Sequence, residues 1–486
     1  MSKSGVRLKE DYVPEIPPMS SIFAESDCQS EKIASEEACS TPEQKIIQQV
    51  SATDSAADVE WTSSSDTASA GISLQEGISL ALSQNPELVT LRQTERVSSA
   101  ALGVAQTYPF NPFLQVQATP WQDAHNVTPA ATYHYVLLMQ TIQLAHQQQF
   151  REQGATFALN STRWNIHQAE LLVLAQTERL YFVALYQRGL MELIEASDRN
   201  NQQLLNILEK QLEAGQATAA DVAIVRVDTA STRQQLQLAS ANYQSALRDL
   251  ARHVGVSPQQ IQGVRGDLRK IQWALPGVPS DSSIASDTEF ETAASEARSS
   301  VLSWAASRPD VMAARSDIDV ARANLCLASA SKTPDLQIGP YYQTTADNTH
   351  YLGFRGQIDL PVINNGVPLE RQRTAEHNQR LTAWQQARRR AELDAEAALD
   401  RYETALIAAA TDTTSTSNDL PAELEGLETQ FQAGEVDVVR VVQARTSLIQ
   451  NQRARLDLLN EVAQSAATLT GAAGIPVDQL FHVPNE

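Results

Sequence analysis

The sequence lacks the short motifs by which most enzymes and metal sites are recognised. It contains no phosphate-binding loop, no dinucleotide-binding fingerprint, no nucleophile elbow and no HExxH zinc motif. Its three cysteines, Cys28, Cys39 and Cys326, fit no metal-site spacing, and its eight histidines form no pair at ligand spacing on one helix face. We therefore expect no enzymatic activity, no cofactor and no bound metal ion.

Long apolar runs and an excess of positive charge are also missing. No stretch of about 18 apolar residues occurs, so no transmembrane helix is predicted. The opening residues, MSKSGVRLKEDYVPEIPP, lack the apolar core of a signal peptide, and neither Cys28 nor Cys39 follows the small and apolar residues of a lipoprotein cleavage site. The formal net charge of −21 argues against nucleic acid as a partner.

Proline is absent between Pro129 and Pro258, where Ala, Gln, Leu, Arg and Glu favour helix. A helix over residues 146–214 would be about 100 Å long. In the returning helix, small or apolar residues recur at alternating steps of three and four. This period of about 3.5 residues predicts antiparallel coiled-coil helices in a left-handed supercoil. The positions are Val222, Val225, Thr229, Thr232, Leu236, Ala239, Tyr243, Ala246 and Leu250.

Two hairpins interrupt the helical pattern. The stretches 113–121 and 133–144 form the first predicted hairpin, and 336–344 with 351–360 form the second. In YLGFRGQIDL (351–360) apolar and polar residues alternate, which indicates a strand with one apolar and one wet face. The strands are rich in aromatic residues, which line either a lipid-facing band or the core of a soluble sheet. The isolation of the hairpins between coiled coils favours the lipid-facing band. These residues are Tyr133, Tyr135, Tyr341, Tyr342, Tyr351 and Phe354.

The second half of the chain repeats the first. LEAGQATAADV returns as FQAGEVDVVRV, and RHVGVSP returns as GAAGIP at the same separation. We predict a disordered acidic and serine-rich segment (1–70) and a first repeat (71–255, with its hairpin at 113–144). A linker (256–290), a second repeat (291–474, with its hairpin at 336–360) and a tail (475–486) follow. The irregular stretch TDTTSTSNDLP (411–421) is expected to interrupt a second long helix that starts at Pro368.

Each repeat has a glycine turn between its two long helices. Gly215 is predicted to end the first helix in a left-handed conformation, and Thr218 with Asp221 forms a Thr-x-x-Asp cap for the next helix. In the second repeat Gly434 ends the helix, and Asp437, at the position of Thr218, is expected to cap the next one. Two good helix turns explain this pattern without any further function.

The order of these elements resembles that of the TolC-type outer membrane factors. The matching phrases are ALSQNPEL and AASRPDV at helix starts, TIQL and QIDLPVINNG after the second strands, and LEAGQATAADV and FQAGEVDVVRVVQARTSL at the glycine turns. They cover about residues 72–482. LPVINNGVPLERQ and LPAELEGLETQFQAGEV are most similar to the heavy-metal efflux, CzcC-like branch.

The resemblance implies a mainly α homotrimer in the outer membrane with a periplasmic extension. Long antiparallel helices form an α-barrel, and two β-hairpins per chain contribute to a 12-stranded transmembrane β-barrel in the lipid. The implied function is a passive exit channel for substrates such as heavy-metal cations or small toxic compounds. A periplasmic adaptor protein and an inner-membrane pump of the RND type deliver them. The alternative is a soluble or cell-surface coiled-coil scaffold, which the missing signal peptide favours.

The resemblance also makes the glycine turns the periplasmic tips, where the adaptor docks and the tunnel closes. The family often has aspartates where this chain has Arg440 and Gln443, so an all-acidic gate is not expected. We expect instead that Asp221 and Arg440 from adjacent tips attract each other and hold the resting channel shut. The candidate gate residues are Asp221, Ile224, Arg440 and Gln443.

Overall fold

The computed structural model describes residues 71–119, 133–276, 287–345, 349–415, 429–430, 436–475 and 479–482. All of them belong to one unit of the chain, Asp66–Glu486. The segment 1–70, predicted to be disordered, lies outside the described residues. Within the described ranges, no helix combines the length and the apolar character needed to cross a membrane.

Long helices dominate the fold, and short strands are inserted between them. The helices are α1 (Leu74–Gln84), α2 (Pro86–Gln106), α3 (Gln147–Glu213), α4 (Ala219–Val254), α5 (Asp287–Ala306), α6 (Pro309–Ala330), α7 (Val367–Ser415) and α8 (Val438–Ala473). The strands are β1 (Phe113–Thr119), β2 (Tyr133–Ile142), β3 (Gln272–Trp273), β4 (Leu336–Thr344), β5 (His350–Ile358) and β6 (Phe481–His482).

The predicted long helix and its coiled-coil partner are confirmed. α3 has 67 residues, which is about 100 Å of helix, and it packs against α2, α4, α6 and α8. Leu236 is half-buried, and the other predicted contact positions of α4 are all buried. The spacing of three and four residues therefore identified the packed face correctly. The buried positions are Val222, Val225, Thr229, Thr232, Ala239, Tyr243, Ala246 and Leu250.

The second long helix differs slightly from its prediction. α7 begins at Val367, one residue before Pro368, and continues to Ser415. Residues 411–415 of the predicted interruption are therefore helical, and the Thr411 hydroxyl donates to the Ile407 carbonyl one turn earlier. The remainder of the interruption, 416–421, lies outside the described residues.

The helix start within the phrase ALSQNPEL falls at Asn85 and Pro86. The Asn85 side chain accepts hydrogen bonds from the backbone N–H groups of Glu87 and Leu88, and Pro86 occupies the first helical turn. At the equivalent place before α6, Arg308 makes no capping hydrogen bond. It is buried instead, and its guanidinium binds Asp310 and the carbonyl of Ala472.

The segment between the repeats is packed into the core, where two tyrosines hold it. The hydroxyls of Tyr181 and Tyr402 donate to the carbonyls of Arg265 and Ala274 at 2.5 and 2.8 Å. Both tyrosines are buried, so their rings are part of the core while their hydroxyls fix the segment. β3 pairs with β6 near the end of the chain, and α5 begins at Asp287, inside the segment assigned to the linker.

The two predicted hairpins join into a single antiparallel sheet with the order β1-β2-β4-β5. The strands run over nearly the residues expected, 113–119 with 133–142 and 336–344 with 350–358. The pairing of β2 with β4 brings the two repeats together, with Leu137 opposite Tyr341. β1 and β5 are the edges of this sheet.

The duplication is visible at the ends of α4 and α8. Gly255 and Gly474 both take the left-handed conformation, with φ values of 88° and 73°, and both cap their helix through a backbone hydrogen bond. Their surroundings differ. A Cβ on Gly255 would lie 2.4 Å from the carbonyl oxygen of Gln84, whereas one on Gly474 would only touch Leu171 at 3.6 Å. The first glycine is therefore also a point of close backbone approach.

Alanine substitutions at these two glycines should have unequal effects. Each places a Cβ in the left-handed region, at a cost of about 1 kcal/mol. Only Gly255→Ala also pushes the chain away from Gln84, so its melting temperature should fall further than that of Gly474→Ala. Thermal unfolding of the two purified variants, followed by circular dichroism, measures this difference. Equal melting temperatures would contradict the close approach.

Candidate functional site

The first helix turn has the backbone geometry predicted for it. Gly215 has a φ of 74°, its N–H donates to the Leu212 carbonyl, and the N–H of Gln216 donates to the Gln211 carbonyl at 2.8 Å. This pair of hydrogen bonds is the Schellman arrangement, which satisfies carbonyls that a helix end otherwise leaves free. Gly215 has open space around it, so its conformation and not its size explains the glycine.

The predicted cap on the next helix is present in full. The Asp221 N–H donates to the Thr218 hydroxyl oxygen at 3.3 Å, and the Thr218 N–H donates to the Asp221 carboxylate at 3.0 Å. The Thr218 hydroxyl also donates to the same carboxylate oxygen at 2.6 Å. This capping box makes the turn rigid and uses most of one carboxylate oxygen of Asp221.

The second turn is only partly described, and its cap differs from the prediction. Gly434 lies outside the described residues. Asp437 does occupy the N-cap position of α8, but its side chain makes no capping hydrogen bond, so that part of the expectation is wrong. A reciprocal capping box is excluded as well, because it needs an acceptor side chain three positions on and Arg440 offers only donors.

A small apolar cluster holds the two turns at the same end of the molecule. Leu204 and Leu208 of α3 pack with Val222 and Val225 of α4 and with Val438 of α8, and each is buried. We call this end, residues 204–225 and 436–443, the tip. Because Val438 packs with Val222 and Val225, the start of α8 lies beside the start of α4.

The four gate candidates all lie at the tip, close to the two helix starts. Asp221 is half-buried, whereas Ile224, Arg440 and Gln443 are exposed. Among the described residues of this chain, no ion pair joins Asp221 to Arg440. An interaction between adjacent tips of different chains therefore stays a prediction, with both side chains reachable from outside.

A polar layer above the tip was missed by sequence reasoning. The Asn201 side chain donates to the Asp228 carboxylate at 2.7 Å and to the Thr232 hydroxyl at 3.1 Å, while Arg445 donates to the Asn200 carbonyl. Burial raises the pKa of Asp228, and the Asn201 hydrogen bond and the charge of Arg445 partly offset this. Asn201 itself was a signal for this layer. It lies at one of the buried positions of α3, and a buried amide usually has a hydrogen-bond partner.

The four-stranded sheet has one strongly apolar and exposed face. Residues that stand opposite each other across the strands share a face, so the observed register assigns each side chain. Leu352 and Phe354 are 83% and 80% exposed. We call this surface the apolar face, and it consists of Leu114, Val116, Val136, Leu138, Ile338, Tyr342, Leu352, Phe354 and Ile358.

The opposite side of the sheet is polar. It carries amides, phenols and one guanidinium, together with the buried Leu137 and Met139 and, at the end of β1, the exposed Phe113. We call it the glutamine–tyrosine face, and it consists of Gln115, Gln117, Tyr133, Tyr135, Gln337, Tyr341, Gln343, Tyr351, Arg355 and Gln357.

The aromatic residues therefore do not form one band. Only Tyr342 and Phe354 lie on the apolar face, whereas Tyr133 and Tyr135 stand opposite Thr119 and Gln117 on the polar side. Tyr341 and Tyr351 join them there. Grouping all six on one lipid-facing surface is wrong, because side chains alternate along a strand and the two groups have opposite parity.

Comparisons with known proteins show what this chain is similar to. Residues 77–256 match the sequence model of the family described as "Outer membrane efflux protein". Two relatives are the "Pyoverdine export outer membrane protein OpmQ" of Pseudomonas putida, 25% identical over 63% of this chain, and that of Pseudomonas aeruginosa, 22% identical over 66%. The match spans 63% and 65% of their lengths, just under two thirds.

Solved structures share the fold. CusC aligns with a TM-score of 0.63 and 18% identity over 83% of this chain and 92% of its own. VceC from Vibrio cholerae aligns with a TM-score of 0.61 and 16% identity over 83% of this chain and 96% of its own. The predicted resemblance to TolC-type outer membrane factors and the outer membrane location are confirmed, and the matched relatives are export and channel proteins, not enzymes.

Removal of the capping hydroxyl at the tip should loosen the first turn of α4. Thr218→Ala loses the side-chain acceptor, which is worth about 1 kcal/mol. Exchange of the Asp221 amide hydrogen should then be about fivefold faster than in the wild type. Thr218→Ser keeps the hydroxyl and is the control. Exchange at the wild-type rate in Thr218→Ala would show that this cap does not stabilise the turn.

Proposed function

We propose that this chain, whose residues 77–256 match the outer membrane efflux proteins and whose fold is shared by CusC, is the outer membrane channel of a tripartite efflux system. Three copies form the channel. Their sheets close a 12-stranded barrel in the lipid of the outer membrane, and their long helices form an α-barrel in the periplasm. The channel is passive, since the energy for transport comes from the pump.

The observation that carries the proposal is the exposed apolar face of the sheet. Side chains such as Val116, Leu352 and Phe354 are more than half exposed in a chain with a mean hydropathy of −0.30. Water-soluble monomers seldom leave so continuous an apolar surface uncovered. Lipid hydrocarbon can cover such a surface, because leucine, valine and phenylalanine side chains have no polar groups that need hydrogen-bond partners.

The edges of the sheet support the trimer. β1 and β5 each leave one side of a strand without a ladder partner within the sheet. Unpaired backbone groups cannot remain in hydrocarbon, so the edges must pair with other strands. Edge-to-edge pairing of three identical sheets satisfies these groups and closes the barrel.

The proposed partners meet the chain at the tip. The adaptor protein docks on the turns that contain Gly215, Thr218, Gly434 and Asp437, and an inner-membrane pump, which we assign to the RND type, loads the channel. Substrates are small compounds. Heavy-metal cations, as in the CzcC-like branch, and organic molecules, such as the pyoverdine named for two relatives, are the two candidate classes.

The gate is proposed at the same end. Asp221 is already fixed by Thr218, so its free carboxylate oxygen is held in a constant direction. Arg440 of an adjacent tip pairs with it across the opening, while Ile224 and Gln443 line the next turn. One exposed pair is worth at most about 1 kcal/mol, but threefold symmetry makes the contact three times.

Removal of the guanidinium should therefore open the resting channel. Arg440→Ala is expected to raise the closed-state current in planar lipid bilayers. Arg226→Ala is the matched control, because Arg226 is also exposed near the tip but pairs with Glu209 of its own chain at 2.8 Å. A closed-state current unchanged from the wild type in Arg440→Ala would reject the pairing with Asp221.

The membrane assignment is tested by neighbouring residues on opposite faces. Val116→Arg puts a charge on the apolar face, where it costs roughly 2–4 kcal/mol in the centre of a bilayer. Gln115→Arg puts the same charge on the polar face. We expect Val116→Arg alone to deplete the heat-modifiable trimer from the outer membrane fraction. Equal amounts of trimer for both variants, or wild-type protein in the soluble fraction, would refute the assignment.

A further inference from the structure

We propose that the glutamine–tyrosine face of the sheet binds hydroxylated aromatic carboxylates, which makes organic acids and not metal cations the substrate class of this channel. The inference rests on the proposed function in one respect: the face must line the channel. The binding chemistry itself follows from the side chains that the register brings together around Tyr135, Tyr341 and Arg355.

The face does not offer the ligands that metal cations need. β1, β2, β4 and β5 are described along their whole length and contain no aspartate, glutamate or cysteine. Their two histidines, His134 and His350, stand in one row with Thr344, on the side of the apolar face. Divalent cations bind carboxylate, imidazole or thiolate groups, so this face has little to hold them.

Aromatic rings are held in place at the centre of the face. The ring centroids of Tyr135 and Tyr341 are 6.1 Å apart, with an angle of 31° between the planes. The ring of Tyr341 lies across Gly353 on the adjacent strand, where a Cβ would come within 2.9 Å of Cε1 and 3.0 Å of Cζ. The missing side chain of Gly353 thus lets the ring lie along the sheet, which offers a flat surface for stacking.

A single positive charge stands beside these rings. Arg355 is the only lysine or arginine in the four strands, and it is exposed. One Nη1 hydrogen donates to the Tyr135 hydroxyl at 3.3 Å, a long bond that leaves most of its five donors available. Among the described residues no carboxylate pairs with Arg355. A free guanidinium fits a carboxylate through two parallel hydrogen bonds.

Amides surround the rings and the charge. Gln117 and Gln343 stand opposite Tyr135 on the two neighbouring strands, and Gln357 follows Arg355 on β5. Each amide offers both a donor and an acceptor, which suits the hydroxyl groups of a ligand. Stacking surface, one cation and flanking amides together match an aromatic ring that bears a carboxylate and hydroxyl groups.

The test uses the purified full-length protein in detergent and two probes of matched shape. We expect 3,4-dihydroxybenzoate to bind, as measured by saturation-transfer NMR titration, and dopamine, a catechol with a positive charge, to bind at least tenfold more weakly. Arg355→Gln should weaken 3,4-dihydroxybenzoate binding tenfold or more, and Tyr341→Leu should weaken it as well. Arg389→Gln, the same loss of charge on α7, is the control and should change nothing.

Equal binding of the two probes, no binding of either, or wild-type affinity in Arg355→Gln would overturn the inference. Membrane fractionation and bilayer conductance of the same preparations keep it separate from the proposed function. A conducting outer membrane trimer that fails to discriminate the probes refutes only the substrate class. A soluble, non-conducting chain refutes the channel, while the binding measurement in detergent still decides the chemistry of the face.

Discussion

The packing of one very long helix against several partners is the constraint on which the rest of this structure depends. α3 spans about 100 Å, and no compact core can bury a helix of that length. α3 packs against α4 through small and apolar residues that recur every 3.5 residues. The buried surface therefore runs along the length of the helix and is not gathered into one central core. Every other element is attached to this rod: the packed segment between the repeats, the tip at one end, and the sheet that joins the two repeats.

In the proposed channel, the sheet and the tip have separate tasks. The sheet separates an apolar from a polar surface simply by alternating its side chains, so a single layer can contact lipid on one side and solute on the other. The tip combines a rigid backbone turn with exposed side chains. The capping box fixes Asp221, while Arg440 on the second turn forms no ion pair with any acid in the described part of the chain. The polar layer at Asn201 and Asp228 sets the tip apart from the apolar core.

Local patterns predicted local features well. The glycine turn at Gly215, the Thr218–Asp221 cap and the Asn85–Pro86 restart depend only on residues within a few positions of each other, and all were found. The pattern failed at Asp437, which occupies the N-cap position of α8 without a capping hydrogen bond. The six aromatic residues were grouped by type, whereas the register sorted them by parity onto two faces. The amide layer at Asn201 went unnoticed, since its partners belong to another helix.

By itself, the sequence determined the helix lengths, the supercoil period, the positions of the turns and the duplication, because each is a periodic or short-range property of the chain. The tertiary structure decided which surfaces face which neighbours. It joined the hairpins through β2 and β4, placed Val438 against the first turn, and laid Tyr341 across Gly353 beside Arg355. These contacts link residues that are far apart in the chain. They arise only when long helices and paired strands pack together, so no local pattern in the sequence could specify them.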